Sequence, residues 1–183
     1  TEVAATAVPF AEGLQAGGVA ATGKHFPGLG AARLNTDDAA QRIGLQSGTL
    51  REVDGAPFRR FAQAGGEMVM LSTAIYPALS PHPAAFSRAI ATAELRGRVD
   101  FKGVSITDAL DTAAARAFGD TAEVARAAAS AGTDLLLYTD PREAARAYRT
   151  LMSGLRSGTF ARAAFEQSAG RVLRLRHRLG ASR

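Results

Sequence analysis

Cysteine is absent from this 183-residue chain, which excludes disulfides and thiolate chemistry and leaves the compartment unreadable from redox logic. Histidine is scarce: His25, His82 and His177 lie too far apart in sequence to suggest a zinc site, and neither a metal nor a cofactor is expected. Lysine is scarcer still, because Lys24 and Lys102 are the only two and arginine supplies the rest of the 22 basic residues. Those arginines are spread among alanines and do not cluster with aromatics, so the net charge of +5 does not call for a nucleic-acid partner. The densest group is Arg171, Arg174, Arg176 and Arg178. Arg171, Arg174 and Arg178 could share a helical face and attract phosphate; a solvated face is the commoner use of such a pattern. No apolar run reaches the length of a membrane span, and no charged segment followed by an apolar one opens the chain. The opening, Thr1-Glu-Val-Ala-Ala-Thr-Ala-Val, reads as mid-helix, so a processed, truncated or partial polypeptide is expected.

What is present is an ordinary globular balance, 46% hydrophobic and 21% charged. The length suits one core, so residues 1–183 are read as a single domain. The organising stretch is Gly18-Val-Ala-Ala-Thr-Gly-Lys-His-Phe-Pro-Gly-Leu-Gly30. Its apolar residues 19–22 read as the start of a buried parallel strand, running to about residue 25. Lys24 and His25 arrive at the C-terminal end, and Pro27, Gly28 and Gly30 then break the sheet into a loop. Three further strands are expected, over 67–73, 103–107 and 134–139, with helices over 1–16, 57–64, 87–99, 121–131, 142–156 and 160–179. On the last helix Phe165, Ala169, Val172 and Leu179 form the expected packed stripe. Strands recurring every thirty to forty or so residues with helices between them imply a parallel sheet buried on both faces. Four such units are half of an eightfold barrel; a small doubly wound sheet is the other architecture the pattern allows.

Two motifs carry chemistry. Asp108 ends the third strand, where barrel enzymes place catalytic groups, although an Asp there also serves to cap a turn. Gly28-Leu-Gly30 invites a dinucleotide-binding reading, but Arg33 stands where the third glycine belongs, and that reading is set aside. The loop over 27–48 is long and polar and contains Asn35-Thr-Asp-Asp38. Loops of this length in a compact domain are more often functional than idle.

Lys24-His-Phe-Pro-Gly-Leu-Gly30 resembles the Lys-His-Phe-Pro-Gly signature of family 3 glycoside hydrolases, above all their β-N-acetylhexosaminidase branch. Phe101-Lys-Gly-Val-Ser-Ile-Thr-Asp-Ala-Leu110 is similar to the segment carrying that family's nucleophile, and Met68-Val-Met-Leu-Ser-Thr-Ala and Phe86-Ser-Arg fall between them in the family's order. The resemblance implies the C-terminal half of a (β/α)8 TIM-type barrel, an α/β fold of about four parallel strands. It implies retaining hydrolysis of β-linked N-acetylglucosamine or β-glucose, with Asp108 as nucleophile and Lys24 and His25 donating hydrogen bonds to sugar hydroxyls. Two positions depart from the family. Ala109 replaces its second Asp, and Asn35-Thr36-Asp37 stands where the hexosaminidase branch has Asp-Ser/Thr-His, whose His is the general acid/base. Asp37 is the candidate substitute, since burial can raise a carboxyl group into the range of proton transfer, but neighbouring Asp37 and Asp38 could equally start an exposed helix. The competing expectation is a catalytically reduced or incomplete member that binds sugar or a partner without turnover. Other partners would be the missing N-terminal half-barrel or a second copy, and an exported or cell-envelope location is favoured over a cytoplasmic one.

Overall fold

The computed structural model describes residues 1–180. Helix α1 (Glu2–Ala16) begins at Thr1, whose hydroxyl accepts from the Ala4 N–H, and it accommodates Pro9. Its end closes with Gly18 at φ +83°, the Gly18 N–H donating to Gln15 O and the Val19 N–H to Leu14 O. This is the paired 5→2 and 6→1 closure that a left-handed glycine permits. It commits the Val19 amide to the helix end and corrects the expected strand start. Val19 is 56% exposed, and strand β1 (Thr22–Phe26) begins three residues later.

A short α2 (Ser47–Thr49) runs through a π-helical turn, Leu50–Asp54, into α3 (Gly55–Gln63). Phe58 and Phe61 are buried on α3, and Phe58 meets Phe26 of β1 edge to face at 5.1 Å. Strands β2 (Met68–Leu71) and β3 (Val104–Thr107) complete a parallel sheet in the order β1-β2-β3. Met68 aligns with Val104 and Leu71 with Thr107, so the strands end level with one another. The helix expected over 87–99 is π-helical, Ala89–Arg98, after a 3-10 turn, Ala84–Phe86. Then come α4 (Ala113–Arg116), α5 (Thr121–Ala131), α6 (Pro141–Arg156) and α7 (Arg162–Arg178). The bounds of α5 are those the sequence predicts, because Asp120 and Glu123 cap each other's backbone and Gly132 ends the helix at φ +92°.

The fourth strand position is occupied, but not by a regular strand. Its one bridge pairs Leu135 with Ile106, in parallel. Below, the Leu135 N–H donates to Ser105 O and the Thr107 N–H to Leu135 O, each at 3.0 Å. Above, side chains take over as acceptors: Leu137 N–H donates to Thr107 Oγ1 at 3.0 Å, and the Thr139 N–H to Asp111 Oδ2 at 2.8 Å. The architecture is therefore α/β, with three parallel strands, a fourth seated beside β3, and seven α-helices among the described residues. Val69, Leu71, Tyr76, Ile90, Leu95, Phe101, Leu110 and Val124 are among the fully buried side chains that pack round the sheet.

The stripe expected on α7 is only half-buried, and no residue of that helix is fully buried. Phe165, Ala169 and Val172 instead line a cavity of about 630 Å3 shared with α5 and α6. Ionic contacts seat the helix. Arg171 binds the Asp134 carboxylate at 2.7 Å and Arg178 binds Glu67, both carboxylates lying at the N-terminal edge of the sheet. The Arg171 and Arg178 pattern is thus a pair of structural clasps, and Asp134 is shared with Arg96 at 2.5 Å.

Candidate active site

The parallel register carries the C-terminal ends of β1 and β3 to the same edge, with β2 between them. The register of β1 shifts between Gly23 and Phe26, where the Lys24–His25 and Phe26–Pro27 peptide bonds are both cis. His25 and Asp108 meet across the end of β2, with His25 Nε2 at 3.7 Å from Asp108 Oδ2. Both side chains are largely buried. The two residues predicted from separate motifs therefore share one site. Asp108 is held from three directions. Its N–H donates to Leu71 O at 2.9 Å, its Oδ1 accepts from the Ala109 N–H at 2.9 Å, and its Oδ2 lies 3.5 Å from the Thr36 hydroxyl. The Ala109 contact is the turn-capping role that the sequence also allowed, and it leaves the other carboxylate oxygen turned toward His25 and Thr36.

Burial lowers the His25 pKa below its ordinary value; the negative charges of Asp108 and Asp37 oppose that, and the neighbouring Lys24 cation adds to it. His25 is therefore poised as a neutral imidazole that can donate or accept. Lys24 is exposed beside it and forms no ion pair among the described residues. Thr36, the middle residue of the Asn35-Thr36-Asp37 triplet, is the contact that sequence reasoning missed. It is buried against Asp108 while Asn35 and Asp37 on either side are exposed. The usable signal was its place inside a triplet already singled out.

Asp37 does not reach the Asp108 carboxylate by any hydrogen bond. Its Oδ2 accepts from the Asn35 side-chain amide at 3.1 Å, and its N–H donates to Asn35 Oδ1 at 3.1 Å. Its backbone carbonyl accepts from the Ala113 N–H at 3.2 Å, which ties the loop to the segment after Asp108. Asp37 acts on His25 through its charge.

The glycine-rich loop rests on the π-helical turn. Gly28 adopts φ +147°, and a Cβ there would fall on the Asp54 side chain, whose carboxyl pKa is raised by burial. Gly28→Ala is expected to cost about 2–4 kcal/mol, the sum of backbone strain and steric overlap. A urea midpoint within error of the unmodified chain would contradict this close approach.

Among the described residues no group of three or more acidic or histidine side chains is placed to hold a metal ion. Among the described residues no helix is long and apolar enough to cross a membrane.

Comparison with known proteins agrees with this geometry. Residues 1–175 match the model of the glycosyl hydrolase family 3 N terminal domain, and the chain belongs to that family. An uncharacterized secreted glycosyl hydrolase of Arthroderma benhamiae is 37% identical over 94% of this chain and 50% of its own length. A β-hexosaminidase of Pseudomonas aeruginosa is 40% identical over 74% of this chain and 41% of its own length. Among solved structures, a family 3 β-N-acetylglucosaminidase from Paenibacillus superposes with a TM-score of 0.94 at 30% identity, covering 98% of this chain and 35% of the other. The chain thus spans half or less of the length of these relatives. The family's N-terminal domains are TIM-type barrels, and the three strands with their fourth neighbour are an arc of such a barrel.

Proposed function

We propose that this chain is the C-terminal half of the barrel domain of a retaining glycoside hydrolase, acting on β-linked N-acetylglucosamine or β-glucose. The observation that carries the reading is the meeting of Asp108 with His25 at the C-terminal ends of parallel strands, 3.7 Å apart. Asp108 is the nucleophile: one carboxylate oxygen attacks the anomeric carbon, the bond to the leaving oxygen breaks, and a glycosyl-enzyme ester forms that water later hydrolyses. His25 and Lys24 supply hydrogen-bond donors to the sugar hydroxyls. Asp37 is the acid/base candidate, which protonates the leaving oxygen and later takes a proton from water. That role needs Asp37 covered by substrate or by further protein, so that it can exchange a proton with the leaving oxygen away from bulk water. The names of the relatives support the substrate class, and the secreted relative supports export.

The exposure of Asp37 in this chain also favours a second reading, an incomplete or catalytically reduced member that binds sugar without turnover. The flanks suit an incomplete unit. Val3 and Phe10 on α1 and Val19 just after it are exposed, as are Tyr148 on α6 and Leu173 on α7. On this reading the missing half-barrel or a second copy covers them. Incubation with a 2-fluoro β-glycoside, peptide mapping by mass spectrometry, and light scattering test these points together. The expected result is an adduct on Asp108 only when a complementary half is present, and an associating chain when it is not. An adduct on any other carboxylate would reject Asp108 as nucleophile; a monomer with measurable turnover would reject the need for a complement.

A further inference from the structure

Residues 108–112 join β3 to α4 and carry the candidate nucleophile. Backbone contacts fix one part of this segment: the Leu110 N–H donates to Leu137 O at 2.9 Å. Beyond Leu110 the next backbone anchor is the 3.2 Å bond from Ala113 to Asp37, on an exposed loop. Between these anchors stands Asp111. A single oxygen of its carboxylate, Oδ2, accepts three hydrogen bonds: from the Thr139 N–H at 2.8 Å, the Thr139 hydroxyl at 2.8 Å and the Asp140 N–H at 2.7 Å.

This convergence is not a helix cap, because α6 is capped by the carboxylate of Asp140, which accepts from the Arg142 N–H. Nor is it an ion pair, since Asp111 forms none among the described residues. Burial would push the Asp111 carboxyl up, but the bonds from Asp140 and Thr139 outweigh it and hold the group below the usual carboxylate range. The tie is passed to Asp108 within one turn. The Thr112 hydroxyl donates to Ala109 O at 2.9 Å, which closes residues 109–112 into one hydrogen-bonded turn, and the Ala109 N–H holds Asp108 Oδ1.

We propose that Asp111 is a positioning residue for Asp108: by clamping the turn to Thr139 and Asp140 it aims the Asp108 carboxylate at His25. The inference rests on the reading of Asp108 as the nucleophile. It assigns a function to a side chain three residues past Asp108 and directly after the motif, and it makes the fourth strand part of the site's framework.

The chain's scarcity of histidine supplies the test, since His25 titration can be followed by NMR with His82 and His177 as internal controls. His25 is faced by Lys24, Asp37 and Asp108. The Asp108 charge raises its pKa, so Asp108→Asn is expected to move His25 further down, by about one unit. Asp111→Ala is expected to move it in the same direction by about half a unit, with His82 and His177 unchanged. Asp111→Asn, which keeps a carbonyl oxygen for the three donors, is expected to restore most of the difference. If Asp111→Ala fails to fold, Thr139→Val, which removes one donor only, is expected to give a smaller shift of the same sign. A His25 titration unchanged by these variants, or one moved upward as looser packing wets the ring, overturns the proposal. No response to Asp108→Asn overturns the His25–Asp108 pairing itself, which separates failure of the site reading from failure of the clamp alone.

Discussion

Asp134→Ala is expected to destabilise the chain by about 3–5 kcal/mol, the cost of removing one partner from a buried ionic cluster. The Asp134 side chain is 0% exposed. One of its oxygens accepts from Arg96 at 2.5 Å and from the Ser105 N–H at 2.8 Å, and the other binds both Nε and Nη2 of Arg171, at 3.0 and 2.7 Å. Alanine would leave two guanidinium groups facing each other with no carboxylate between them. Arg96 is poorly placed to escape: its side chain is 17% exposed, it lies 5.2 Å from the Phe101 ring centre, and it also donates to Phe101 O and Gly103 O. A domain of this size has only about 5–15 kcal/mol in total, so the variant would sit near the edge of folding. Chemical denaturation checks the value. A loss under ~1 kcal/mol would mean that the clasp is solvated and behaves as a surface pair. Adding Arg171→Ala to Asp134→Ala should cost less than the sum of the single changes, because the second arginine is then no longer stranded.

Asp108→Asn is expected to lower glycosyl transfer to the protein by about 10³-fold or more, in any polypeptide carrying this chain that turns over. The amide has nearly the same shape, and its oxygen can still accept from Ala109 N–H, so the turn after β3 should survive. What is lost is the negative charge that makes the carboxylate oxygen a nucleophile. Covalent labelling followed by intact-mass measurement reads the effect, and far-ultraviolet circular dichroism checks the fold. Labelling at the unmodified rate would remove Asp108 from the mechanism and leave it as a turn cap.

The residues that the sequence made legible are those whose roles are local. The bounds of α5 were legible because an alanine-rich run ends at Gly132, and the structure adds the Asp120–Glu123 capping box at its start; capping is decided within one turn. The placement of His25 and Asp108 at one edge of the sheet was legible because each ends an apolar run, and the family's motifs then paired them. Position 19 was misread since an apolar residue after two glycines looks like a strand start, whereas a helix-closing hydrogen bond captures its amide. The arginines of α7 looked like a solvated or phosphate-seeking face because their partners, Asp134 and Glu67, lie 37 and more than a hundred residues away. Thr36 and Asp111 escaped for the same reason. A hydroxyl or carboxylate in a polar loop has no pattern of its own, and only the folded chain shows what it touches.

The side-chain acceptors along the fourth strand have a consequence for register. A ladder built from backbone groups alone repeats every two residues, so a slip of two restores its hydrogen bonds. The seam between β3 and residues 134–139 has no such repeat. Its upper contacts use a threonine hydroxyl and an aspartate carboxylate, each found once, at Thr107 and Asp111. Sliding by two residues would leave Leu137 and Thr139 without acceptors. A strand too short and irregular to form a full ladder is therefore left with a single alignment, written in side chains as well as in the backbone.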